Sequence, residues 1–312
     1  MRQGWTRTLG ALTPSADDVA AIVRASLPKA RVAAFEAVDG GLANTNIRVD
    51  LDDGRVLLRL YQRDGAQAAK EAALAERLRG TVPVARFLHI GEHGDIRFAL
   101  VEWIDGTRLE IGLPTMAPKD RRAAGHAVGQ ALGAIHGFAY ERIGFLDAQL
   151  RVASPISDGP DFLLAFLRGA FIDGPAHALL GDALARAAMD HATAHKNLRW
   201  GGAPCLVHCD FNGSNILMRG LDVAAVVDWE FAMSARPDID FGNLLRNHPD
   251  EAFLDGVVAG YRARGRSLPE NWRALARLSD LMAWADLLSR PHVHPSVVES
   301  AKQAILETIG AA

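Results

Sequence analysis

Cysteine is scarce in this chain: 2 in 312 residues, Cys205 and Cys209. That excludes a disulfide-stapled scaffold and falls short of a four-cysteine zinc site. His208 lies between the two, but no further ligand nearby completes a tetrahedral set, so both thiols are expected to be buried side chains. Charge of one sign is also lacking. The 34 Lys and Arg stand against 37 Asp and Glu, for a net charge of −3. This argues against a nucleic-acid-binding role. No apolar run approaches the roughly 18 residues that span a membrane, so no membrane partner is expected. Residues 1–7 place no apolar stretch behind their charges, so the expectation is a cytoplasmic protein without a secretory leader. Repeats and low-complexity segments are absent too. What remains is an ordinary folding composition, 49% hydrophobic and 23% charged. The length suits about two lobes with a sizeable core.

The periodicities divide the chain. Residues 15–28 read as a helix, with Ser15 as cap, acids Asp17 and Asp18 in the first turn, and a stripe through Val19, Ile22, Val23 and Leu27. Strand signals follow at 32–38, 45–51 and 56–61, with a glycine pair, Gly40-Gly41, at one tip and Asp52-Asp53-Gly54 at the other. A helix over 65–79 and strands over 85–90 and 96–103 complete this half. Beyond Gly106 the pattern turns helical: 117–137, 160–171, 176–195, 250–264, 270–290 and 294–310. A β segment interrupts at 205–229.

The chemistry concentrates in that β segment. Asp210 is followed five positions later by Asn215, and Asp228 comes thirteen after that. A loop presents the first two at one mouth, and a hairpin returns the third to the same mouth. Two carboxylates and an amide oxygen are hard donors of the kind that suit Mg²⁺ held between protein and phosphates. Protein kinases use this plan, with one Asp accepting the hydroxyl proton and an Asn and a second Asp on metal.

On these residues the chain resembles the aminoglycoside phosphotransferase family, whose relatives include choline, homoserine and fructosamine kinases. The matching stretches are His208-Cys-Asp210-Phe-Asn-Gly-Ser-Asn215-Ile-Leu217, Val227-Asp228-Trp229-Glu230 and Pro237-Asp238-Ile-Asp240. The resemblance implies a two-lobed, α+β protein kinase-like fold. Its N-lobe would span 1–102, a five-stranded antiparallel sheet with one main helix, and its helical C-lobe 107–312, joined by a hinge at 103–106. It also implies ATP and Mg²⁺ as cofactors and a small-molecule hydroxyl as acceptor. Asp210 would then be the catalytic residue, and Asn215 and Asp228 the metal ligands. Gly41, Asn44 and Thr45 resemble the nucleotide loop, and Arg59 the phosphate-contacting position, aligned by Glu71. Glu102 and Ile104 resemble the hinge positions that meet adenine through their backbone. Asp240 would support the catalytic loop.

The sequence departs from that pattern at two places. Arg59 stands where Lys is usual, keeping the charge but adding a planar donor fork. Cys209 stands where Gly is commoner. Neither removes a proton acceptor or a metal ligand.

Several of these positions admit a second reading. Alternation puts Arg59 on the face of Leu57 and Tyr61, toward the cleft rather than toward water. Glu76 rivals Glu71 as its partner but lies on another helix face. His208 is expected to anchor the loop rather than move protons, because Asp210 already occupies the proton-accepting place. Asp280 and Trp284, four apart, share a helix face. They could line an acceptor pocket, but the preferred reading packs Trp284 against Leu281 and Leu288 and leaves Asp280 solvated. The competing functions are a nucleotide-binding pseudokinase scaffold and a protein kinase. The latter is disfavoured by the missing G-x-G-x-x-G loop and the short stretch from Asp228 to Asp240.

Overall fold

The computed structural model describes residues 10, 12–38, 44–62, 66–157, 159–246 and 250–310. The N-terminal lobe contains α1 (Ala16–Ser26), β1 (Val32–Ala37), β2 (Thr45–Leu51), β3 (Gly54–Tyr61), α2 (Ala66–Leu78), β4 (Phe87–His93) and β5 (Ile96–Glu102). Its five strands form one antiparallel sheet in the order β1-β2-β3-β5-β4. Helix α1 starts at a reciprocal cap, in which the Asp18 N–H donates to Ser15 Oγ at 3.1 Å and the Ser15 N–H donates to Asp18 Oδ2 at 3.0 Å. Alternation along β3 sorts its two faces. Val56, Leu58 and Leu60 bury against Val19, Ile22 and Val23 of α1. Leu57, Arg59 and Tyr61 take the opposite face.

The larger lobe begins with β6 (Thr107–Arg108), α3 (Leu109–Gly112) and α4 (Pro118–Ile135), then β7 (Gly144–Leu146), β8 (Val152–Pro155), α5 (Pro160–Phe171), α6 (Ala176–Leu180) and α7 (Asp182–Ala194). Strands β9 (Cys205–Val207), β10 (Ile216–Arg219), β11 (Asp222–Val226) and β12 (Met233–Ala235) come next. Helices α8 (Asp238–Leu245), α9 (Glu251–Ala263), α10 (Trp272–Leu288) and α11 (Pro295–Gly310) finish it. The β10–β11 hairpin extends a small sheet with β6, and a second sheet runs β8-β7-β12-β9. Together these elements make the α+β kinase-like architecture that the sequence implies. The helix expected over 176–195 is broken at Gly181, whose φ of +82° no regular helix accepts. Among the described residues, no helix is long and apolar enough to cross a membrane.

Helices α4 and α9 pack closer than side chains allow. A Cβ on Gly129 would sit 2.1 Å from the Val257 carbonyl oxygen, and one on Gly256 would sit 2.1 Å from that of Arg122. Gly129→Ala should therefore destabilise the protein by about 1–3 kcal/mol, as overpacked cores do. This holds although alanine's helix propensity is better by about 1 kcal/mol. Urea denaturation measures it, and an unchanged midpoint would mean that the two helices separate freely.

Candidate active site

The β10–β11 hairpin brings the predicted residues together. Ile216 pairs with Val226, and the Val227 N–H donates to the Asn215 carbonyl at 2.9 Å. Asn215 and Asp228 thus emerge side by side at the hairpin's open end. Asp210 is fixed beside them: Asn215 Nδ2 donates to its Oδ2 at 2.7 Å, and Asn212 Nδ2 to its Oδ1 at 2.7 Å. Asn212 in turn receives the Ser214 N–H on its own Oδ1 at 2.9 Å. Asn212 was not singled out from the sequence. Its signal was an amide two residues after a loop Asp, a spacing that favours local side-chain hydrogen bonds.

The loop carrying Asp210 hangs from Asp240. That carboxylate is fully buried and sits inside the first turn of α8 rather than capping it. The N–H groups of His208 and Cys209 donate to its two oxygens at 2.9 and 2.8 Å, and His136 Nε2 lies 3.1 Å away. His208 is an anchor. Its Nδ1 accepts the Asp210 N–H at 3.3 Å, so its ring proton lies on Nε2 and faces the Val227 carbonyl at 3.0 Å. Both ring nitrogens are thereby engaged.

Cys209 and Asp228 have left-handed backbones, with φ of +63° and +68°. Such conformations cost a non-glycine residue about 1–2 kcal/mol, and they cluster where geometry serves function. The first explains why Gly suits position 209. Burial pushes both thiols up, Cys205 to about 12, so neither offers a thiolate.

Across the cleft, Arg59 is buried and donates from Nη2 to Asp228 Oδ1 at 2.6 Å. Its Nε lies 3.5 Å from Glu71 Oε2. Glu71 is thus the partner, while Glu76 pairs with exposed Arg79 instead. Burial lowers the Arg59 pKa, but the charges of Glu71 and Asp228 outweigh it and hold the guanidinium charged. Burial also pushes Glu71 up to about 7, partly offset by Arg59. Folded Glu71 therefore keeps its proton where unfolded Glu71, near 4.5, has lost it. The stability Glu71 contributes is full below about 4.5 and lost as pH rises through about 7. The stability gap between the parent and Glu71→Gln should accordingly shift against the parent across that window. Denaturation at a series of pH values measures it, and a pH-independent gap would remove the titration from Glu71.

Asn44 and Glu230 join the lobes. Asn44 Nδ2 donates to Glu230 Oε2 at 3.1 Å, Gln67 Nε2 donates to the same oxygen at 2.8 Å, and Lys70 Nζ reaches the Glu230 carbonyl at 2.7 Å. Glu230 lies in the quoted motif but carried no assigned role. The buried Oδ1 atoms of Asn44 and Asn46 have no hydrogen-bond partner. Asn46 pairs across the sheet with Arg59, so it shares the cleft face. Buried acceptors left unpaired are costly unless a ligand or solvent group completes them.

Three expected nucleotide positions stand differently. Gly41 lies outside the described residues. Thr45 is not brought to the cleft: it shares the parity of Ile47 and Val49, and its hydroxyl accepts the Leu12 N–H at 2.9 Å on the α1 face. Glu102 has its N–H committed to the Arg86 carbonyl at 2.8 Å, which leaves its carbonyl and the half-buried Ile104 at the hinge.

Asp210 and Asp228 open into one cavity of about 590 Å³, walled by α5, α10 and the segment leading into α11. Asp280 reaches this cavity but is not solvated. Arg246 Nε lies 3.2 Å from both its oxygens. Trp284 packs in the core with Leu281 and Leu288, as preferred.

An antiparallel lobe over a helical lobe, with a fixed carboxylate and an Asn–Asp pair at their junction, defines a kinase-like phosphotransferase. Residues 34–278 match the model of the phosphotransferase enzyme family, and the chain belongs to that family. Solved structures share the fold. Aminoglycoside phosphotransferase APH(4)-Ia, in a ternary complex with ADP and hygromycin B, is 18% identical at a TM-score of 0.71, covering 95% of this chain and 99% of that one. Macrolide 2′-phosphotransferase MphH from Brachybacterium faecium is 18% identical at 0.64, covering 93% and 98%. APH(2″)-IIa, in its complex with gentamicin, is 14% identical at 0.62, covering 96% and 97%. No curated protein sequence matches the chain.

Proposed function

We propose that this enzyme transfers the γ-phosphoryl group of ATP to a hydroxyl of a small molecule with Mg²⁺ as cofactor. One observation carries the reading: the Asp210 carboxylate, held by two amide N–H groups, opens into the same cavity as Asp228. Asp210 orients the acceptor hydroxyl and takes its proton as the oxygen attacks phosphorus. The amides of Asn212 and Asn215 fix which way the carboxylate faces, so little reorganisation is needed when the acceptor arrives.

Asn215 and Asp228 would hold Mg²⁺; their hard oxygen donors fit that ion, and the unpaired amide oxygens of Asn44 and Asn46 fit a polar ligand in the cleft. When bound, the metal neutralises charge on the transferring group. Arg59 moves from Asp228 toward the remaining phosphates, with Glu71 aligning it. The Glu102 carbonyl and the Ile104 N–H offer adenine one acceptor and one donor, and Gly41 keeps the nucleotide-binding role that its resemblance to the family's loop implies. The nucleotide then lies between lobes 1–102 and 107–312, under the hinge at 103–106, and a cytoplasmic location goes with a supply of ATP.

ADP release, measured while hydroxylated compounds are added to enzyme and Mg·ATP, tests this. Acceptor-dependent release that requires Mg²⁺ is expected. ATP bound but never turned over with any acceptor would make the protein a pseudokinase.

A further inference from the structure

We propose that the acceptor is a bulky, largely apolar alcohol, polycyclic or macrocyclic, rather than a polycationic amino sugar or a small polar metabolite. The proposal rests on the phosphotransferase reading and names its substrate class. A cavity of about 590 Å³ is of the size that encloses a drug-sized ligand. Phe145, Phe162, Phe166 and Phe231 line it. Three of these are open for so apolar a side chain: Phe145 is 57% exposed, Phe166 38% and Phe231 43%. Phe162 and Phe166 stack on successive turns of α5, with centroids 6.4 Å apart. Apolar surface of this extent inside a concave site is stabilised when an apolar ligand covers it. An acceptor of only a few heavy atoms would leave those rings in water.

The charges point the same way. Ammonium groups are held by carboxylates that are available to them. Away from Asp210 and Asp228, the cavity's carboxylates are already engaged. Asp280 is held by Arg246, and Asp286 by Arg290 at 2.6 Å. Glu230 receives Asn44 and Gln67, Asp238 receives the Ser279 hydroxyl, and Glu110 lies 3.7 Å from Arg108. Arg199 and Arg236 on the same walls partly balance the carboxylates that only amides or hydroxyls engage. A polycation binding at Asp280 or Asp286 would have to displace Arg246 or Arg290 from them. A neutral alcohol disturbs neither.

The test compares three groups of compounds on the intact enzyme with Mg·ATP: a steroid triol and a neutral macrocyclic lactone; hygromycin B and gentamicin; choline and glucose. Calorimetry reads binding, and ADP release reads turnover. The lipophilic arm should bind and give the highest kcat/KM. Phe166→Glu should raise KM for that arm by roughly tenfold or more, the scale of losing one buried aromatic contact. Phe166→Leu should move it much less, and KM for ATP should stay within about twofold in both variants. A higher kcat/KM in either other arm, or no binding by any lipophilic alcohol, overturns the proposal. Mg·ATP binding on the same samples separates the two failures. Retained, it leaves the phosphotransferase reading standing; lost, it removes that reading as well.

Discussion

Asp210→Asn is expected to lower turnover by roughly 10²-fold or more, the usual scale of general acid–base help, with Mg·ATP binding retained. The substitution keeps the side chain's shape. What it removes is the proton acceptor, and it sets a third amide against those of Asn212 and Asn215, which now donate to the carboxylate at 2.7 Å each. The loop should survive, because it hangs from Asp240 through the backbone of His208 and Cys209 and not through the Asp210 side chain. The loss should therefore fall on kcat and leave the ATP affinity alone. Single-turnover kinetics isolate the chemical step, and a kcat near that of the parent would take the proton-accepting role from Asp210.

Asp228→Ala should act on both binding and rate. It deletes one of the two proposed metal donors, so the part of ATP affinity that depends on Mg²⁺ should fall by roughly 10²-fold, and turnover with it. It also strips Arg59 of its 2.6 Å partner and leaves the guanidinium to Glu71 alone. Arg59 would then meet the phosphates without competition, so binding of ATP in the absence of Mg²⁺ should hold or strengthen. Calorimetry with and without Mg²⁺ separates the two effects. An unchanged dependence on Mg²⁺ would reduce Asp228 to the residue that follows a strand.

Much of the fold was legible because long elements carry long periods. The stripe of α1, the alternation of β2 and β3, and the amphipathic runs of α4, α9 and α10 each repeat several times. Strands β7, β8 and β12, of three or four residues, hold too few side chains to show a period. Their existence depends on partners distant in sequence. The break at Gly181 was visible only as a glycine, whose left-handed conformation a sequence does not state.

The site divides along the same line. The spacing of Asp210, Asn215 and Asp228 is local to one loop and one hairpin, and the hairpin register delivers them to one place. The ion pair of Asp280 with Arg246 spans 34 positions and ties α10 to the residue that caps the end of α8, so no helical spacing could reveal it. Without it, Asp280 reads as a solvated carboxylate. Thr45 is the opposite case. Its parity with Ile47 and Val49 already placed it on the buried side of β2, and the likeness of its segment to a nucleotide loop outweighed that signal. Gly125, Gly129, Gly256 and Gly260 drew no attention as sequence. In the structure they let α4 and α9 approach backbone to backbone.

The most direct test of the account follows the phosphoryl group itself. ATP carrying ¹⁸O on its γ-phosphoryl group would be incubated with enzyme, Mg²⁺ and a mixture of hydroxylated small molecules, and the products analysed by mass spectrometry. The label should appear in an organic phosphate ester, formed by the parent enzyme and nearly absent with Asp210→Asn. Label confined to ATP or to inorganic phosphate, with the mixture containing acceptors of every class named above, would contradict it.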